Sequence, residues 1–262
     1  ALLVVAAAPA GGALAQGTVE GRTITDQAVG ASLPDLRAVD VAFPSSNGIV
    51  RGFLVEPAGE EKVPAVMIVH DRDGFGDPVR DLARRLGEAG FLALAVDVTS
   101  TEGDAVAGPG VPRVAAEDVD PAAAVENGRA SANWLQTHLR SNGSVGAIGF
   151  GWGGALVMRL AATEAPLEAV ISYYGGPLPS ETTASEVYVP ILLHVGTDGS
   201  MPGAEIASLA RRFDESGERY RIHVYDGVGD GFVDPGRDDD EDEAAAEEAY
   251  RRTVEFLRKW LA

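Results

Sequence analysis

The chain has 262 residues, enough for one large α/β domain or two small ones, and 45% of them are hydrophobic, an ordinary reserve for a core. Its formal net charge of −19 at pH 7 makes a surface that repels phosphate backbones and anionic lipid, which argues against nucleic acid or a membrane face as partner. With no cysteine, disulfides, thiolate metal sites and cysteine nucleophiles are all excluded.

The opening residues, ALLVVAAAPAGGALAQ, are small, apolar and uncharged. Leu2 to Ala15 is short for a bilayer span, which takes about 20 apolar residues. It ends in Ala13-Leu14-Ala15, a small-x-small cleavage pattern before Gln16. Residues 1–15 therefore read as a truncated export signal lacking its charged start. The mature protein is expected to be exported, periplasmic or secreted. Residues 16–38 form a lead-in segment, and 39–262 a single domain.

Val39 to Phe43 and Ile49 to Val55 flank the turn-rich Ser45-Ser46-Asn47-Gly48 and predict an antiparallel hairpin. Pro64 to Val69 is a continuous apolar run, the signature of a strand buried on both faces. Pro78 to Ala89 carries Val79, Leu82, Ala83 and Leu86 on one side and charged residues on the other, and Gly90 stops it as a helix. Phe91 to Val96 is the next buried strand. Thr99 to Pro121 is rich in glycine, proline and acid and reads as a surface excursion.

Pro121 to Arg140 predicts a helix, Ser144 to Phe150 a strand and Gly153 to Ala162 a helix. Two strands follow, Leu167 to Tyr174 and Val189 to Val195. Ala204 to Glu215 is a helix, Tyr220 to Tyr225 a strand, and Glu243 to Leu261 a closing helix. The acidic run Asp238 to Glu243 suits that helix's N-terminus and lacks the glycine spacing of a calcium-binding loop. Strands alternating with helices imply an α/β fold with a mainly parallel sheet covered on both faces, a three-layer sandwich.

In such sheets reactive groups gather at the carboxyl ends of the parallel strands. Gly149-Phe150-Gly151-Trp152-Gly153-Gly154 has the frame of a nucleophile elbow, whose small residues let a strand turn sharply into a helix. The next backbone N–H, on Trp152, then points at an oxyanion site. The central position, however, is Gly151, which has no side chain. His194-Val195-Gly196-Thr197-Asp198 places an aspartate after a strand, where a triad acid stands. Tyr225-Asp226-Gly227-Val228-Gly229-Asp230 follows the last strand, and Asp230 fills the slot of the base histidine. His70-Asp71-Arg72-Asp73 follows the first parallel strand, where a second oxyanion donor and substrate contacts arise.

With these segments in order, the chain resembles the dienelactone hydrolase (carboxymethylenebutenolidase) family in its exported branch, from about Val39 to Leu261. The resemblance implies the α/β-hydrolase fold and a Cys-Asp-His triad that opens lactones and related esters through an acyl-enzyme. It requires no cofactor and no metal. Carried over to this sequence, it keeps the acid at Asp198, puts Gly151 at the nucleophile and Asp230 at the base, and gives Asp71 the part of a loop carboxylate that manages the cysteine proton. Arg72, Tyr173, Tyr174 and Phe232 are the candidate pocket residues around a small ester or lactone-like ligand.

Covalent catalysis needs a nucleophile and a base within reach of each other, and neither type stands at its position. The expectation is a family member that has lost covalent catalysis and retains the fold. One alternative is slow hydrolysis by a water set beside Gly151 with Asp198 or Asp230 as base. Another is a non-enzyme that binds a small molecule, or a cation held by Asp71, Asp73, Asp198 and Asp230. Ser172, His70, His138, His194 and His223 read as packed structural residues.

Overall fold

A computed structural model of the chain describes residues 3–4, 36–100, 119–176, 187–217, 219–233 and 242–262. The predicted excursion after Thr99 and the acidic run up to Glu241 lie largely outside these residues, as does most of the expected signal and lead-in. Strands β1 (Leu3–Val4) to β9 (Tyr220–Tyr225) form one sheet in the order β1-β2-β3-β5-β4-β6-β7-β8-β9. Here β2 is Arg37–Ser45, β3 Gly48–Glu56, β4 Val63–Val69, β5 Leu92–Asp97, β6 Ser141–Phe150, β7 Ala169–Tyr173 and β8 Ile191–Gly196. The hairpin β2–β3 is antiparallel and joins antiparallel to β5, while β5, β4, β6, β7, β8 and β9 all run parallel. Short β1 pairs in parallel with β2, within the stretch that the sequence reads as an export signal.

Helices close both faces. In β4, Val66 and Ile68 face a core shared with α1 (Asp77–Glu88) and α5 (Glu243–Trp260). The alternate residues Ala65, Met67 and Val69 face a second core under α2 (Pro121–Thr137), α3 (Trp152–Ala161) and α4 (Gly203–Ser216). The two-residue period of a strand thus explains why this run carries no polar alternation: each side has a hydrophobic neighbour. Truncating a fully buried residue such as Ile68 to alanine would cost roughly 2–5 kcal/mol. Among the described residues no helix is long and apolar enough to cross a membrane.

The helix ends follow local chemistry. In α1, proline stands in the first turn and Gly90 takes φ +95° just past the end. The Asp120 carboxylate caps α2 by accepting the Ala122 N–H at 3.0 Å, and Asp242 caps α5 through the Ala245 N–H at 2.8 Å. Most boundaries shift by one or two residues, and the largest difference from expectation lies between α2 and β6. Helix α2 stops at Thr137 and β6 begins at Ser141, so the predicted helix to Arg140 is too long and the predicted strand from Ser144 too short. The cause is tertiary: the Val63 N–H bonds to the Arg140 carbonyl at 2.8 Å, and the Arg140 guanidinium donates to the carbonyls of Glu61 and Pro57.

Candidate active site

Between β6 and α3 the chain turns on Gly151, with φ +46° and ψ −114°. The Gly151 N–H bonds to the Tyr173 carbonyl at 3.0 Å, so pairing with β7 carries into the turn itself. A side chain at Gly149 would strike the Gly153 carbonyl, which explains the small residue before the turn. This is the backbone of a nucleophile elbow with nothing on its tip.

The space above Gly151 is filled from another loop. A Cβ built on Gly151 falls directly on the Asp71 carboxylate. Asp71 Oδ1 accepts the Trp152 N–H at 2.9 Å and the Arg72 N–H at 2.7 Å. Both bonds join a charged acceptor to a backbone donor, the stronger kind of hydrogen bond. The Trp152 amide is the donor that a catalytic elbow would aim at a developing oxyanion. Here an aspartate oxygen already takes it. Sequence reasoning brought Asp71 and Trp152 to the same site but did not place one upon the other.

Asp198 and Asp230, the expected acid and base positions, meet on neighbouring loops. The exposed Asp198 accepts from Thr197 Oγ1 at 3.2 Å, and its N–H bonds to the Val228 carbonyl at 3.0 Å. Asp230 turns its carboxylate into the acid loop, where Oδ2 accepts the Ser200 N–H at 3.0 Å and the other oxygen lies against Gly199. Asp230 thus anchors the turn around Asp198. Among the described residues, no three His, Asp or Glu side chains come together in a way that could hold a metal ion, so the four aspartates proposed as a cation site do not converge.

The buried histidines have structural partners. His194 bonds through Nδ1 to the Tyr225 hydroxyl at 2.8 Å and through Nε2 to Thr253 Oγ1 at 3.1 Å. Burial holds its imidazole well below the ordinary histidine value, and neighbouring His223 adds to the effect. His70 donates Nδ1–H to the Asp71 carbonyl at 2.7 Å and sets Nε2 3.5 Å from Asp97 Oδ1, so it braces the backbone that carries Asp71. His138 ends α2 against Trp134, and His223 lies within β9. Ser172 is buried in β7 with its hydroxyl between Gly154 and Gly175.

A cavity of about 380 Å³ opens beside Asp71, between the N-terminal ends of α1 and α5. Tyr173 and Tyr174 line it, together with Phe150 and Tyr250. Tyr174 holds the left-handed backbone at φ +42°, a conformation that costs a non-glycine residue about 1–3 kcal/mol. The structure places the other two candidate pocket residues elsewhere. Phe232 is fully buried, edge-on to Tyr174 at 5.9 Å and close to Tyr225, because the loop after β9 folds its ring into the core. Arg72 is exposed and meets the site through its backbone N–H. Phe150, Arg85 and Tyr250 were not legible in the sequence as wall residues. The last two come from helices far apart in the chain, stapled by the Tyr250 hydroxyl donating to the Arg85 carbonyl at 2.9 Å.

A mainly parallel sheet with helices on both faces, a strand-to-helix elbow and an acid loop two strands further on define an α/β-hydrolase fold. The profile of the Dienelactone hydrolase family matches residues 50–261, and the chain belongs to that family. It is 26% identical over 235 residues to a Bradyrhizobium sp. protein described as "Probable 2-oxo-3-(5-oxofuran-2-ylidene)propanoate lactonase", covering 84% of this chain and 94% of that one. Among solved structures it resembles a dienelactone hydrolase-like promiscuous phosphotriesterase from metagenomic libraries, with a TM-score of 0.75 at 21% identity over 87% of this chain and 99% of that one. It also resembles a dienelactone hydrolase of Anabaena variabilis, with a TM-score of 0.63 at 19% identity and coverages of 87% and 99%.

Proposed function

We propose that this protein keeps the frame of a lactone and ester hydrolase but has lost covalent catalysis, and that it serves as a small-molecule binder. The observation that carries the reading is the elbow: Gly151 supplies no nucleophile, and the Asp71 carboxylate occupies both the vacated volume and the Trp152 N–H. Asp230, at the base position, accepts a proton-bearing amide from Ser200 and has no nucleophile to serve. The same bonds count against the water-based alternative, since an ester carbonyl would have to displace an anion from its oxyanion donor.

The test is p-nitrophenyl acetate hydrolysis by the purified protein beside Asp230→Asn. Equal, near-background rates are expected. A stoichiometric burst of p-nitrophenol, or a rate that drops on Asp230→Asn, would overturn the reading. Restoring chemistry should take three changes together, Gly151→Cys, Asp230→His and Asp71→Ala, because the cysteine and the Asp71 carboxylate compete for one volume. Export belongs to the same proposal. It is supported by the small, apolar start and the Ala13-Leu14-Ala15 pattern, and mass spectrometry of the protein expressed with a complete leader should find a mature N-terminus near Gln16.

A further inference from the structure

The chemistry of the cavity beside Asp71 is not that of a site for an anionic lactone. Its inner wall is aromatic: Phe150, Tyr173, Tyr174 and Tyr250. Among the described residues, the charged ones around it are Asp71, Asp81, Glu243 and Glu247, with Asp73 engaged in an interaction of its own, against Arg85. Arg85 is already engaged, paired with Glu247 at 2.6 Å and seated 3.8 Å over the Tyr250 ring. The chain therefore sets one cation of its own on an aromatic face at this mouth, which shows the preference of the surroundings. From these features the geometry points to a small organic cation, an aromatic or alkyl ammonium, as the ligand class of this cavity.

Two forces favour that ligand. Ring faces attract a cation through their quadrupole, more strongly as the cation is desolvated. The surplus of carboxylates adds an attraction that grows as the ligand leaves water. Two features oppose it. Arg84 pairs with Asp81, which reduces the surplus, and the first turns of both helices border the cavity at Pro78 and Glu243, which by itself favours an anion. Each helix end amounts to roughly half a positive charge. Both first turns answer it internally: Asp77 and Glu243 supply carboxylates, and the Asp242 side chain takes the Ala245 N–H. A bound anion would also lie beside the Asp71 carboxylate, which lines the same wall. The balance is cationic. At about 380 Å³ the space lies at the small end of ligand pockets, which limits the ligand to one ring with its ammonium group.

This inference names the ligand class for the binding reading above and rests on it. The two fail separately, because ester hydrolysis and cation binding are different measurements. The experiment is isothermal titration of the full chain with benzyltrimethylammonium and, at matched ionic strength, with phenylacetate. Saturable cation binding at least tenfold tighter than that of the anion is expected. Glu243→Gln, an exposed change in the first turn of α5, should weaken it several-fold, as should Tyr250→Leu. Glu215→Gln, exposed at the far end of α4 and outside the cavity, should leave it unchanged. Phenylacetate binding as tightly as the cation, no saturation by the cation, or equal effects of Glu243→Gln and Glu215→Gln would each overturn the inference.

Discussion

At Gly151 a left-handed backbone and a neighbour's carboxylate act on the same atom. Any Cβ there must carry the strain of φ +46° and displace Asp71. Gly151→Cys alone is therefore expected to lower stability by about 1–3 kcal/mol. Asp71→Ala should recover part of that loss, so the two changes should be non-additive in urea unfolding. Additive effects would mean that the strain is purely backbone. Gly151 and Asp230 could be singled out in the sequence as the expected nucleophile and base positions because a triad has a fixed chain order and strand-end placement. Asp71's occupation of the elbow could not, since the two loops are brought together only by the pairing of β4 with β6.

Strands β7, β8 and β9 are tied to helix α5 by a buried polar chain. Thr253 Oγ1 bonds to the Tyr173 hydroxyl at 2.6 Å and to His194, which bonds in turn to Tyr225. Thr253→Val would leave these groups short of partners and should cost roughly 1–3 kcal/mol. His194 also makes the fold acid-sensitive. Its folded value is depressed by burial, so between that value and the ordinary 6.5 the unfolded chain binds more protons than the folded one. Stability from this group is present above about pH 6.5 and is lost as pH falls below it, by at most about 1.4 kcal/mol per pH unit. Unfolding free energies from pH 7 down to about 5 should show that slope, and His194→Gln should reduce it. An unchanged slope would assign the acid sensitivity to other groups. At this scale the elements themselves were legible, strand β9 to the residue, because apolar runs and glycine stops mark them. The end of α2 was not, because it is set by contacts of Arg140 with a loop some eighty residues earlier.

Over the whole molecule, a charge of −19 must be held together at short range. Many surface arginines are used locally for this. Arg251 pairs with Glu248 and Glu255, Arg252 with Glu248, and Arg80 with Asp40 while covering the Phe53 and Phe75 rings. Repulsion among the remaining carboxylates is screened once the Debye length falls below their spacing. The melting temperature should therefore rise from low ionic strength to about 0.5 M sodium chloride, the opposite of a fold held mainly by surface ion pairs. A fall would show that pairs such as these outweigh the repulsion. The charge was read from composition at once, whereas its unequal distribution around the cavity needed the packing of α1 beside α5.

The aspartate lodged at the elbow also bears on how this chain could change over generations. A cysteine placed at position 151 would meet a blocked volume and a strained backbone, and a histidine placed alone at position 230 would have no nucleophile beside it. Removing the Asp71 carboxylate alone strips the Trp152 amide of its partner. On the function proposed above, each single step toward a Cys-Asp-His triad would lose stability or gain nothing, so the route is a valley that only a coordinated crossing traverses. On that proposal, a side chain of four heavy atoms would act as a ratchet, holding the elbow in its non-covalent form.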